Sequence, residues 1–126
     1  MGLLSRMFAG FQAEQSMWHV VRLIRDSGRR TALVSNSWGF DYPRDSWADL
    51  FDQVVISGEE GVRKPDPEIY LLAAERLRLP PDVCVFVDDL VANVRGAAAV
   101  DMVGVHHTGV ESTVAELEIL LDVSLR

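Results

Sequence analysis

Apolar residues recur at three- and four-residue intervals across residues 16–27, where Met17, Val20, Val21 and Ile24 share one face and predict a helix. Gly28 follows at a place where a left-handed residue commonly stops a helix. The pattern then changes period. Residues 31–34, Thr-Ala-Leu-Val, form a short β-branched and apolar run that halts at Ser35-Asn36-Ser37, so a buried strand delivers a polar cluster at its carboxyl end. Residues 38–50 read as a loop with a helical turn. A second run, Val54-Val55-Ile56, precedes Ser57-Gly58, and residues 61–67 open the next helix with Asp66 as N-cap and Pro67 at the first helical position. That helix turns Ile69, Leu72 and Ala73 inward and runs to about Leu77, because Pro80-Pro81 bars continuation. A third run, residues 83–87, ends in Asp88-Asp89 and leads into a helix over 93–100 with Val94, Ala97 and Ala98 on one side. Residues 102–105 supply a fourth strand, and Thr113 with Glu116 predicts a capping box for a final helix burying Val114, Leu117 and Leu121.

Strands alternating with helices imply parallel neighbours joined by right-handed crossovers. The expectation is a single α/β domain over residues 1–126, a Rossmann-like three-layer fold with a mainly parallel sheet of about four strands. In such sheets ligands gather at the carboxyl ends of the strands, where Ser35, Asn36, Asp88 and Asp89 all fall.

Composition narrows the partners. The chain has 126 residues, enough for one core, and 12 Lys and Arg against 19 Asp and Glu give a formal charge of −7. The basic residues are scattered instead of forming a stripe that neutralises phosphates in a row, so nucleic acid is not an expected partner. Apolar runs fall far short of the roughly 20 residues that span a bilayer, so no membrane association or export is expected. The single cysteine, Cys84, sits inside an apolar run with no activating base beside it; it reads as a buried thiol in a reducing, cytoplasmic setting. His106 and His107 are adjacent and point to opposite faces of a strand, which suits a surface or edge position better than metal binding. Trp18, Trp38 and Trp47 read as packing residues, Trp38 being near enough to Ser35-Asn36 to line a pocket.

Each polar motif alone has a plain reading. Ser35-Asn36 suits a turn, an Asp pair after a strand suits an N-cap, and Lys64 before a proline suits a solvated loop. Their order and spacing change this. Val34-Ser35-Asn36, then Lys64-Pro65-Asp66-Pro67, then Val87-Asp88-Asp89 with Asn93 and Gly96 following, closely resembles the second, third and fourth motifs of the haloacid dehalogenase-like hydrolases. The resemblance covers residues 18–105. It implies that Ser35 and Asn36 donate hydrogen bonds to a phosphoryl group and that Lys64 neutralises its charge and pairs with the acidic cluster. It also implies a magnesium ion, with Asp88 as its direct ligand and Asp89 orienting a bound water or bonding Lys64, the two roles being interchangeable on sequence alone. On this reading Lys64 and Asp89 carry the catalytic roles, and a small phosphorylated molecule is the substrate class.

The chain departs from the family at its start. Members begin with a strand ending in Asp-x-Asp, whose first carboxylate attacks and whose second acts as acid and base. Here the earliest carboxylate is Glu14, and Asp26 falls inside a predicted helix. Residues 1–16 are also too short for a first strand plus the usual helical cap, so the chain resembles the C-terminal two-thirds of a family member. The first central strand is expected to be missing. Residues 3–11 filling the slot, closure of the flanking strands, or a second chain, with a homodimer over the uncapped face, are the ways to repair the gap. Magnesium binding is expected to be weak or absent without the missing carboxylates. A hydrolase inactive alone, of phosphatase type or, as the second choice, dehalogenase type, and a non-catalytic binding or interaction domain of the same descent, are the two readings. A phosphorylated receiver domain is set aside because its acidic pair precedes its lysine, the reverse of the order here.

Overall fold

A strand of four residues from the chain's beginning, Arg6–Ala9 (β1), pairs on both sides, with Arg30–Ser35 (β2) and with Cys84–Asp88 (β4). The computed structural model describes residues 6–9, 15–35 and 50–125. Among these residues the sheet has five strands in the order β3-β2-β1-β4-β5, all parallel, with β3 at Gln53–Ile56 and β5 at Val103–His106. The expected four strands with an empty central slot are therefore corrected to five with the slot filled, and the filler is the N-terminal segment that the sequence allowed. The physical reason is hydrogen-bond accounting. Without β1, two buried strands would each present a row of unpaired backbone groups, and each unpaired buried group is costly.

The helices cover both faces. Gln15–Asp26 (α1) and Val110–Leu121 (α5) lie over one face, where Met17, Val21, Ile24, Leu117 and Leu121 pack on Leu33, Val85 and Val87. Pro67–Leu77 (α3) and Val91–Ala99 (α4) lie over the other, where Ile69, Tyr70, Ala73 and Ala97 pack on Ala32, Val34, Cys84 and Phe86. Successive residues of β2 and β4 thus serve opposite cores, the period-two consequence of burying a parallel strand on both faces. A short helix, Ser57–Glu60 (α2), follows β3 and ends at Gly61, whose φ of 75° is a left-handed cap. Gly28 takes φ 95° after α1, as its position predicts.

Three local expectations are revised. Asp66 holds the N-cap position of α3 with Pro67 after it, but its side chain makes no capping bond. The last helix starts at Val110 with Gly109 as its N-cap, and Thr113 lies buried one turn in, hydrogen-bonded to His107 Nδ1 at 2.7 Å, so the Thr113–Glu116 box does not form. The helix expected over 93–100 begins two residues earlier. Residues 38–49 of the expected loop, with Trp38 and Trp47, lie outside the described residues.

Candidate functional site

From β1 the chain builds outward to β2 and β3 on one side and to β4 and β5 on the other, so the strand order reverses between β1 and β4. In open parallel sheets the crevice for a ligand opens at this reversal, beyond the carboxyl ends of the strands. Asp88 ends β4 at that point with no exposed surface. Its carboxylate is held from three directions. Lys64 Nζ donates to Oδ2 at 2.8 Å, Asn93 Nδ2 donates to the same oxygen at 3.1 Å, and the Leu90 backbone N–H donates to Oδ1 at 2.9 Å. Burial pushes the Asp88 carboxyl above the usual carboxylate range, and the Lys64 ammonium opposes that rise.

Lys64 is brought there by its loop. The left-handed turn at Gly61 ends α2, and the chain then runs inward so that Lys64 is only 3% exposed. Its ammonium lies 5.7 Å from the centroid of the Phe86 ring, within range of a favourable cation–π contact. Gly96 permits the approach of this loop to α4. A Cβ there would stand 2.7 Å from Pro65 O and 2.8 Å from the Tyr70 hydroxyl. Tyr70 in turn donates to Asn93 O at 2.7 Å and meets Phe86 edge-on at 5.1 Å. Burial, reinforced by the charge of Asp88, drives the Tyr70 phenol upward, so it remains the donor.

The sequence-derived site is thus brought together in part. Lys64 and Asp88 are in contact, with Nζ 2.8 Å from Oδ2, so of the two adjacent aspartates Asp88 is the one seen paired with the lysine. Asp89 is exposed, and its backbone carbonyl stands 3.0 Å from His106 Nε2. Ser35 is half-buried at the end of β2, one strand removed from β4; at the usual strand spacing its backbone is roughly 10 Å from that of Asp88. Asn36 lies outside the described residues. Of the histidines, His106 is exposed as expected, whereas His107 is buried and its backbone N–H donates to Asp88 O at 2.8 Å. Asn93, Tyr70 and Gly96 had no assigned role. Asn93 was the findable one, since a residue five positions past an aspartate, in the first turn of the following helix, can reach back to it.

The five-stranded parallel sheet, with a buried Lys64–Asp88 pair at its strand-order reversal, defines an open α/β domain with its ligand crevice at the carboxyl ends of the strands. The model of the haloacid dehalogenase-like hydrolases matches residues 11–101, and the chain belongs to that family. Acyl-CoA dehydrogenase family member 10 of Mus musculus is 38% identical over 83% of this chain and 10% of its own length. Sesquiterpene phosphatase astK of Aspergillus oryzae is 42% identical over 58% of this chain and 37% of its own. The chain therefore spans well under half the length of either. An uncharacterized protein of Corynebacterium glutamicum superimposes with a TM-score of 0.88 at 27% identity, covering 96% of this chain and 97% of the other. An enzyme of the family from Bacteroides thetaiotaomicron, solved with magnesium and inorganic phosphate, shares the fold with a TM-score of 0.61 at 22% identity over 76% of this chain and 53% of the other.

Magnesium takes near-octahedral oxygen ligands and keeps several of its waters. The described residues contain no group of three Asp, Glu, His or Cys able to hold a metal. Asp88 has no exposed surface and its oxygens already accept three N–H donors, one of them an ammonium. Among the described residues, the donor set does not fit a magnesium site centred on Asp88.

Proposed function

We propose that this chain is a haloacid dehalogenase-like domain of the phosphatase type that holds a small phosphorylated molecule and, on its own, does not hydrolyse it. One observation carries the reading. The central strand, at whose end the family places its attacking carboxylate, is followed in sequence by Gly10-Phe11-Gln12-Ala13, and no carboxylate comes before Glu14. Aspartyl attack on phosphorus needs such a group in line with the leaving oxygen. The phosphatase relatives support phosphorylated substrates as the ligand class.

The chain's own residues have definite parts in this reading. Ser35 donates its hydroxyl, Asn36 its amide, and Lys64 its positive charge to phosphoryl oxygens. Asp88, 2.8 Å from the ammonium, offsets part of the positive charge that Lys64 presents to a phosphate. Binding is accordingly weak. A reducing cytoplasmic setting, with Cys84 buried and reduced, belongs to the same proposal, as does a homodimer covering the exposed Leu90 and Val91 beside the acidic turn. Among the described residues no helix is long and apolar enough to cross a membrane.

The test is hydrolysis of an aryl phosphate, with binding of inorganic phosphate followed in parallel. The reading expects no turnover that Lys64→Ala abolishes, with or without magnesium. It expects phosphate binding to be lost in Lys64→Ala and strengthened several-fold in Asp88→Asn, measured below that variant's melting temperature. Turnover that both substitutions abolish, and that Glu14→Gln also abolishes, establishes the alternative of a working phosphatase.

A further inference from the structure

We propose that Lys64 is the resident cation of this site: its ammonium occupies the place beside Asp88 that a divalent ion would need, and the chain takes no magnesium there. The inference stands on geometry and holds whether or not the domain turns over phosphate esters. A carboxylate offers about four acceptor directions. At Asp88 three are taken, by Leu90 N–H at 2.9 Å, Lys64 Nζ at 2.8 Å and Asn93 Nδ2 at 3.1 Å, and the remaining one is closed to solvent. A hydrated dication has no exposed face of Asp88 to approach. If it displaced Asn93 it would still stand next to an ammonium of like charge in a poorly screened interior.

Lys64 cannot easily give way. Its backbone is pinned where Pro65 packs within a methyl's width of Gly96, and its ammonium faces Phe86. Asn93 is anchored from behind by the Tyr70 hydroxyl. The lysine therefore supplies fixed positive charge that needs no loading from solution. Take that charge away, and Asp88 with the adjacent Asp89 becomes a pair of carboxyls without a counter-ion, at the mouth of the sheet. Such a pair attracts a divalent ion.

The test needs no ligand beyond the metal. Manganese, used as a paramagnetic probe, is titrated into the intact chain while water relaxation is followed. Melting is compared in magnesium and in EDTA at matched ionic strength. The expected result is no saturable manganese site at millimolar concentration and no shift in melting temperature. The Lys64→Met variant is expected to gain a magnesium-dependent rise of about 3–6 °C, which adding Asp89→Asn removes. A saturable site in the unmodified chain that Asp88→Asn abolishes overturns the proposal, as does a folded Lys64→Met variant with no metal response. If Lys64→Met does not fold, the titration of the unmodified chain decides alone. A metal site found there leaves the prediction about hydrolysis standing, because that prediction concerns the attacking group.

Discussion

Lys64 and Asp88 are a charged pair almost wholly removed from water, and the consequence is asymmetric. Such pairs add little over a well-packed apolar substitute, yet losing one member leaves an uncompensated charge in the interior. Lys64→Met is therefore expected to destabilise the fold by about 3–5 kcal/mol, and the double variant with Asp88→Asn by much less, read from urea unfolding. At this scale the sequence was informative about chemistry and poor about pairing. It put Lys64 and the two aspartates at one rim, but which aspartate receives the lysine depends on the β4 register, which ends the strand at Asp88 and turns Asp89 outward. The part played by Tyr70 was hidden for another reason. It reads as one more apolar contact of a buried helix, and its hydroxyl bond to Asn93 exists only once α3 and α4 have docked.

Among the elements, α3 and α4 meet at a glycine. Gly96→Ala would bring a methyl within 2.7 Å of the Pro65 carbonyl, a rigid neighbour, so it is expected to cost about 1–3 kcal/mol and to displace Lys64. Tyr70→Phe removes a buried bond without adding bulk, and about 1–2 kcal/mol is expected. The two effects separate by thermal melts, and by whether phosphate binding changes in the first far more than in the second. The loop that carries Lys64 is also tied at its base. Arg76 on α3 donates through both nitrogens to the Glu60 carboxylate on α2, at 2.7 Å each. Arg76 holds the Glu60 carboxyl below the usual carboxylate range. A depressed acid contributes stability above its unfolded pKa of about 4.3 and loses it as the pH falls through the lower folded value. Glu60→Gln is therefore expected to cost up to about 1 kcal/mol at neutral pH and nothing measurable in strong acid, in paired denaturant titrations. The positions of α1, α3 and α4 were legible to within two residues because apolar residues recur along them at helical spacing, whereas the four-residue α2 was not read at all. The start of α5 was misjudged because Thr113 and Glu116 have the spacing of a capping box, while in the fold the threonine hydroxyl is claimed by His107.

For the molecule as a whole, the parallel α/β class could be read from alternating apolar periods, since each buried strand is a continuous β-rich run. The central strand could not be identified so directly. Arg6-Met7-Phe8-Ala9 contains no β-branched residue and no clean alternation, and its assignment rests on the two neighbours that need its backbone. A chain lacking residues 1–10 is expected to lose cooperative unfolding and to associate through the uncovered edges of β2 and β4, visible by calorimetry and size-exclusion chromatography.

The same strand places a constraint on assembly in time. Arg6 pairs with Arg30 and also with Cys84, so a strand synthesised before both its partners is held between one made soon after it and one made much later. The β1-β2-β3 half can form while synthesis continues, but its inner edge stays bare until β4 arrives. Slow translation between these two points would lengthen the interval in which that edge can recruit a neighbouring nascent chain. The yield of folded protein should then depend on elongation rate even where its final stability does not.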